Sequence, residues 1–427
     1  MSVNNDQSPP VTRFVMFKSL RHRDFRLIWF SNIFVAFAGQ MQNIARGWLI
    51  YDMTRSPMDL TWVMLSFMLP SAVFSLIGGV IADRVDKKTV MVVSNLLNAI
   101  ATAVLAYVIY LGEVTFWHFI YFGLFNGTVM ALGMPARASI VPEIVGDENL
   151  LNATALQTGG HNVSRIMGPV LAGLLIAVFA IGETGSMYGT SMVMFLIAML
   201  YLFAMVFTMM LSYAGAPEAQ SDKTPMQDIR EGIRFVRDES LIRGLMVVGV
   251  VPPMLGAGVN YLLPAFNQEI LGGGPEDLGL LTTGMGLGAL AGSILLARLG
   301  DPRRKGRLLA LGSYGWAVAI GVFAFSGNLY VAMIAGAMTA FASSFFQSLS
   351  TSLLQLSAPQ AIRGRVMSVT MMVHAMIPIG VIPVSALAEV AGLEVALLTS
   401  AGVLAVGMFV LNRLYPEVRH IDRGYQR

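Results

Sequence analysis

The chain has 427 residues, 55% of them hydrophobic and only 12% charged, with a net charge of +3. A soluble protein carries about a quarter charged residues, so this composition excludes a water-soluble globular fold and calls for lipid as the solvent. The absence of cysteine excludes disulfides, thiol catalysis and cysteine metal sites, and the small positive balance fits membrane orientation rather than nucleic-acid binding.

The N-terminus is polar and basic up to Arg26, and a first apolar run of about 25 residues follows, too long for a signal-peptide core. It is expected to be a retained membrane helix. The expected spans are 27–51, 59–81, 89–111, 115–136, 151–179, 187–212, 243–270, 277–298, 307–326, 329–356, 366–388 and 391–412. Runs near 20 residues suit α-helices crossing a bilayer core of about 30 Å. Barrel strands would alternate polar and apolar over about 10 residues. The expected fold class is an all-α polytopic membrane protein with about 12 transmembrane helices.

Loop charges orient this map. With the N-terminus in the cytoplasm, all but three of the 28 Lys and Arg residues fall in cytoplasmic loops, the termini included; Arg137 is counted in a 137–150 loop. Arg55 alone falls outside, and Arg46 and Arg165 lie inside spans. Such segregation follows the positive-inside rule and places both termini in the cytoplasm. The segment 213–242 divides the chain into an N-terminal half, 1–212, and a C-terminal half, 243–427. Within it Met226, Ile229, Ile233 and Phe235 alternate with charges at roughly helical spacing, as in a solvated interfacial linker helix. A shift of 214 residues places Gly78 to Arg84 on Gly292 to Arg298 and Pro169 on Pro383. Two such six-helix halves are a transporter plan with the solute between them near the midplane.

The motif GGVIADRVDKK, residues 78–88, runs from a glycine-bearing helix end into a loop of alternating acid and base. Asp83, Arg84, Asp86, Lys87 and Lys88 are placed to form an ion-pair lattice at the cytoplasmic face, locking one conformation and releasing it in another. Here the sequence resembles the major facilitator superfamily. That family's loop signature, Gly-x-x-x-Asp-Arg-x-x-(Arg/Lys)-(Arg/Lys), is matched by Gly79, Asp83, Arg84, Lys87 and Lys88. Residues 23–57 and 142–175 resemble the exporter branch that includes enterobactin exporters and macrolide efflux pumps. The resemblance implies alternating access, proton exchange as the drive and a monomer. Arg298 stands in the second-half counterpart of the signature, with Ala297 where an acid would be expected. The drug–proton antiporter signature of the fifth helix is partly present as Gly168, Pro169 and Gly173, at the interface between halves. The fourth-helix arginine of many proton antiporters is missing between Asn126 and Pro135.

Polar stripes inside spans must avoid lipid. Gly39, Gln42, Asn43 and Arg46 share an arc of about 100° on the first span. Gln157, Thr158, His161, Arg165, Gly168 and Pro169 share a face of about 120° on the fifth, and Ser344, Gln347, Ser348, Thr351 and Gln355 share one on the tenth. The expected substrate-binding residues are Gln42, Asn43, Arg46, His161, Arg165, Gln347, Thr351 and Gln355. Arg46 and Arg165 either bind an anionic or hydrogen-bond-accepting solute or satisfy neighbouring carbonyls and amides at helix interfaces. No carboxylate lies mid-span, which leaves His161, His374, Asp52, Asp59 and Asp83 as candidates for proton coupling.

The five histidines are scattered, and no HExxH, Gly-x-Ser-x-Gly or phosphate-binding loop occurs. An enzyme, a metal, a cofactor and ATP drive are therefore not expected. The expectation is a secondary exporter of a small drug- or siderophore-like solute in the bacterial inner membrane. An importer or lysophospholipid flippase on the same fold stays open as the alternative. The partners expected are the solute, protons and the lipid bilayer, with no nucleic acid.

Overall fold

The computed structural model describes residues 19–180, 185–215, 225–300, 304–359, 362–374, 376–419 and 421. Basic residues that the charge map counts at 13–18, 223, 303 and 422–427 lie outside them. Sixteen helices follow in order: α1 (Arg23–Thr54), α2 (Pro57–Arg84), α3 (Lys87–Tyr110), α4 (Phe116–Val145), α5 (Asp147–Phe179), α6 (Gly185–Met209), α7 (Pro225–Asp238), α8 (Ser240–Gly256), α9 (Gly258–Glu269), α10 (Pro275–Leu299), α11 (Lys305–Ala324), α12 (Leu329–Ser357), α13 (Arg363–His374), α14 (Val381–Ala391), α15 (Leu393–Leu414) and α16 (Pro416–Arg419).

Among the described residues nine segments are long and apolar enough to cross a membrane, with α8 and α9 forming one of them. The long helices α1 and α2, and α13 with α14, complete the set of twelve. Two spans are broken. Pro252 and Pro253 interrupt the seventh, which restarts after Ala257. The eleventh is broken by a 3-10 turn at Ile377–Gly380. Backbone groups freed in this way must be satisfied inside the bundle, since lipid offers no partner.

One expected loop is absent. The fourth span does not stop at residue 136: α4 continues through Pro135 and Pro142 to Val145. Gly146, at φ +67, is the sole hinge before α5 begins at Asp147. A side chain there would be strained in the left-handed region. Arg137 is therefore a residue of a helix, not of a cytoplasmic loop.

Packing repeats between the two six-helix sets. In the first, α2 packs on α4, α3 on α6, and α1 on α5 and α6; in the second, α10 packs on α12 and α11 on α15. Gly127 brings α4 against the Phe67 carbonyl of α2, and Gly288 brings α10 against the Ala337 carbonyl of α12, with no room for a Cβ at either. The sets meet through α5 on α10 and α2 on α14, pairs related by the same pseudo-symmetry. Apolar side chains such as Val104, Val318 and Val406 stay exposed on the outer surface, as a lipid-facing wall requires.

Both α1 and α15 have their chain-terminal ends on one face of the bundle, called here the terminal face. On the opposite face the two sets are sealed. The Tyr51 hydroxyl donates to the Glu269 carboxylate, and Gln268 Nε2 donates to the Trp48 carbonyl at 3.4 Å. Thr61 and Ser385 share a buried hydroxyl–hydroxyl bond of 2.6 Å. Glu389 accepts from the Met58 backbone N–H at 3.1 Å and from the Ser56 hydroxyl, capping the first turn of α2 from the other set. The seal follows α5 and α10 only part of the way. Gly173 lies on the Pro275 carbonyl, and Gly286 lies on Arg165 and Ile166. Nearer the terminal face α5 turns to α1, where Gly160 meets Ile33, while α10 turns to α12, where Gly292 meets Phe341. The sets thus diverge towards the terminal face.

Candidate substrate cavity

Two adjoining cavities occupy the divergence. One, of about 350 Å³, lies inside the first set and is lined by α1, α2, α3, α4, α5 and α6. The other, of about 420 Å³, lies between the sets and is lined by α1, α2, α5, α9, α10 and α12. Gln40, Asn43 and Phe67 line both, so the two are successive chambers. Each has the size of an ordinary small-molecule pocket, about 300–1,000 Å³.

Arg46 lies on the wall of the inter-set chamber and is 1% exposed. The i, i+3 spacing on α1 puts it above Asn43, whose Oδ1 accepts from Arg46 Nη2 at 3.0 Å. Its guanidinium carbon is 5.0 Å from the Phe67 ring centre and 5.9 Å from that of Phe122, within cation–π range. Nε and Nη1 have no hydrogen-bond partner. Arg165 lines the same chamber from α5. The remaining wall is soft and apolar, with Met64, Met68, Met285 and Tyr261 among it.

Arg137 lines the chamber of the first set. Nη1 donates to Asn32 Oδ1 of α1 at 2.7 Å and Nη2 to Asn95 Oδ1 of α3 at 2.9 Å. Asn32 in turn donates to Gln157 Oε1 of α5 at 3.2 Å. The sequence reading missed this residue because it ended the fourth span at 136, nine residues before the helix stops at Val145. The fourth helix thus does carry an arginine, two residues beyond the stretch inspected for one. Among the described residues none of Arg46, Arg137 and Arg165 is ion-paired, and no Asp or Glu lines either chamber.

The other expected binding residues divide. Gln42, Asn43 and His161 line the chambers. Gln42 is 2% exposed and engaged by Thr102 and Tyr201. Gln347, Thr351 and Gln355 line neither chamber; α12 contributes Ala340 and Ser343 instead, closer to the sealed face. Gln347 Nε2 meets His374 Nε2 at 2.7 Å, while His374 Nδ1 meets the Thr370 carbonyl at 2.9 Å. Gly168 lies against Gln40 of α1 and Gly173 against α10, and the Pro169 carbonyl faces Gly279. These three residues sit where α5 passes between α1 and the second set.

At the signature loop the two lysines reach partners outside the loop. Lys87 turns inward, 1% exposed, and pairs with Glu143 of α4. Lys88 Nζ donates to the Leu211 carbonyl at 2.6 Å. Both lysines therefore tie α3 to neighbours within the first set. Arg84, Asp86 and Arg298 are exposed, and Gly79 and the Asp83 side chain lie outside the described residues. Removing one partner of a buried pair leaves an uncompensated charge, costing about 3–5 kcal/mol. Glu143 remains partly solvated, at 23% side-chain exposure, so Lys87→Met is expected to cost about 3 kcal/mol, read as a lower melting temperature in detergent. An unchanged melting temperature would show the pair to be dispensable.

Twelve spans in two pseudo-symmetric sets around a central cavity define a transporter with the major facilitator fold. The chain belongs to the transmembrane secretion effector family of that superfamily, whose profile matches residues 15–423. It is 27% identical to the enterobactin exporter EntS of Shigella boydii serotype 18, across 81% of this chain and 80% of that protein. It is 23% identical to macrolide efflux protein A of Streptococcus pyogenes, across 93% of this chain and 97% of that protein. Among solved structures, the nucleoside transporter NupG superposes with a TM-score of 0.74 at 14% identity, covering 91% of this chain and 99% of that one. An inward-facing, unoccupied bacterial homologue of the human lysosomal transporter Spinster also gives 0.74, at 15% identity, covering 97% and 100%. These structural matches speak for the fold alone. The family is one of transporters, not of enzymes.

Proposed function

We propose that the protein is a secondary exporter of a small amphipathic organic anion, working by alternating access and proton antiport in a bacterial inner membrane. The observation that carries the reading is the set of three guanidiniums, Arg46, Arg137 and Arg165, facing chambers with no carboxylate among the described lining residues. Arg46 is buried; a buried, unpaired cation is costly and, within a membrane, an ionisable residue marks a functional site. An anionic solute supplies the missing charge, and the methionine and aromatic wall accommodates its apolar body. A cationic amphiphile meets repulsion in the same place.

The terminal face is the cytoplasmic one in this reading, because Arg23, Arg84, Lys88, Arg243, Arg298 and Arg413 gather there. The structure then corresponds to the inward-open state, sealed outside and ready to load from the cytoplasm. Both termini are cytoplasmic, and the monomer is the working unit. Kinship to exporters supports the outward direction.

The test is accumulation of anionic catecholate siderophores, anionic dyes and cationic macrolides in a pump-deleted bacterium expressing the protein or its Arg165→Ala variant. The expected result is several-fold lower accumulation of an anionic compound, lost in the variant and on collapse of the proton gradient. Lower accumulation of the cationic compounds alone would overturn the anion reading.

A further inference from the structure

Arg137 and Arg46 hold opposite ends of one groove. Each guanidinium is anchored to an asparagine of α1, Arg137 to Asn32 and Arg46 to Asn43. Those asparagines are eleven residues apart, which at 100° per residue returns to within about 20° of the same helix face and advances about 16 Å. Gly39 lies between them, within about 20° of Asn32 by the same count. A Cβ at Gly39 would meet nothing within 4 Å, so the face of α1 between the two anchors is open space. Gln40, Asn43 and Phe67, shared by both chambers, mark the passage.

The anchors also leave the charges free to act. The asparagine oxygens are neutral and orient the guanidiniums without cancelling them. Of its five N–H groups, Arg137 gives two to Asn32 and Asn95. Arg46 gives one to Asn43 and keeps Nε and Nη1 unbonded while being 1% exposed. A monoanion bound at Arg46 and Arg165 leaves Arg137 uncompensated in the adjoining chamber.

The geometry points to a solute with anionic groups at both ends of an apolar body, lying along α1 over Gly39, one end on Arg137 and the other on Arg46 and Arg165. The span between its charged groups is roughly 10–16 Å, the anchor separation less the reach of the two hydrogen bonds. This rests on the organic-anion reading above and narrows it from any anion to an elongated dianion. In the inward-open state the Arg137 end lies nearer the opening, so one terminus of the solute is captured there while the other reaches the seam that must part for release.

The test uses purified full-length protein and two probes, a terphenyl carrying a sulfonate at each end and the corresponding monosulfonate, with binding measured by calorimetry. The dianion is expected to bind at least about tenfold more tightly than the monoanion, because its second contact is intramolecular. Arg137→Gln should weaken the dianion far more than the monoanion and bring the two to similar Kd values. Gly39→Phe, which fills the open groove and touches no neighbour at its Cβ, should remove the same advantage without disturbing the Arg137 network. Arg46→Met should weaken both probes. Equal affinity of the two probes in the wild type, with both weakened by Arg46→Met, would overturn the two-ended solute and keep the organic-anion reading. So would Arg137→Gln weakening both probes alike. Binding of neither probe would overturn both readings.

Discussion

Arg46→Met is expected to give a folded protein, at least as stable as the wild type, that binds its solute at least about 100-fold more weakly. Two hydrogen bonds to an ionised partner, at about 1.5–3 kcal/mol each, account for the loss at about 1.4 kcal/mol per tenfold. Stability moves the other way. Arg46 is 1% exposed, with Nε and Nη1 unbonded, a hydrogen bond to neutral Asn43 and the Phe67 and Phe122 rings within cation–π range. Replacing a buried, poorly compensated ion by an apolar side chain of similar volume is commonly neutral or stabilising, by up to about 4 kcal/mol. Arg46→Lys should fall between, since it keeps the charge but loses the planar fork. The checks are thermal unfolding in detergent and solute uptake into inverted vesicles. A methionine variant that unfolds at lower temperature and transports normally would make Arg46 a structural residue and sink the cavity reading.

The course of the helices was largely legible from the sequence because lipid imposes two strong rules, apolar length and charge on one side. Local sequence did not set their ends. Prolines stop helices in water, yet α4 runs through Pro135 and Pro142 to Val145, because neighbouring helices in a membrane bundle re-satisfy what a proline frees. Ending that span at 136 turned Arg137 into a loop charge and hid one of the three cavity arginines. The α12 stripe lies away from the two chambers for another reason. Helical periodicity gives a direction around the axis but not a depth along it, and the chambers meet α12 at Ala340 and Ser343 rather than at Gln347, Thr351 and Gln355. On α1 the same arithmetic led to Asn43 and Arg46, whose stripe coincides with the depth of the chambers. The signature loop illustrates a third limit. Charge spacing along the chain suggests pairing within the loop, but it does not reveal that Lys87 reaches Glu143, 56 residues away on α4. Likewise the pairing of Tyr51 with Glu269 and of Thr61 with Ser385 joins residues from different sets. Nothing local in either segment encodes such pairs.

The seal on the face opposite the termini offers the most decisive test of movement. The Thr61 and Ser385 hydroxyl oxygens are 2.6 Å apart, and both residues are fully buried, one on α2 and the other on α14. A disulfide needs its sulfurs about 2.05 Å apart, so cysteines at these two positions start close to bonding distance. The natural chain has no cysteine, and no other thiol competes in the double variant Thr61→Cys with Ser385→Cys. Oxidation is expected to join α2 to α14, hold the seam shut and abolish transport, with full recovery on reduction. Each single variant should transport normally, since a cysteine alone leaves the seam free to part. Solute binding from the terminal face should survive in the oxidised protein, because both chambers lie on that side of the lock. Retained binding with lost transport is the result that only a moving seam produces. Transport by a fully oxidised double variant would mean that α2 and α14 never separate, and the solute would then need an exit that avoids the sealed face altogether.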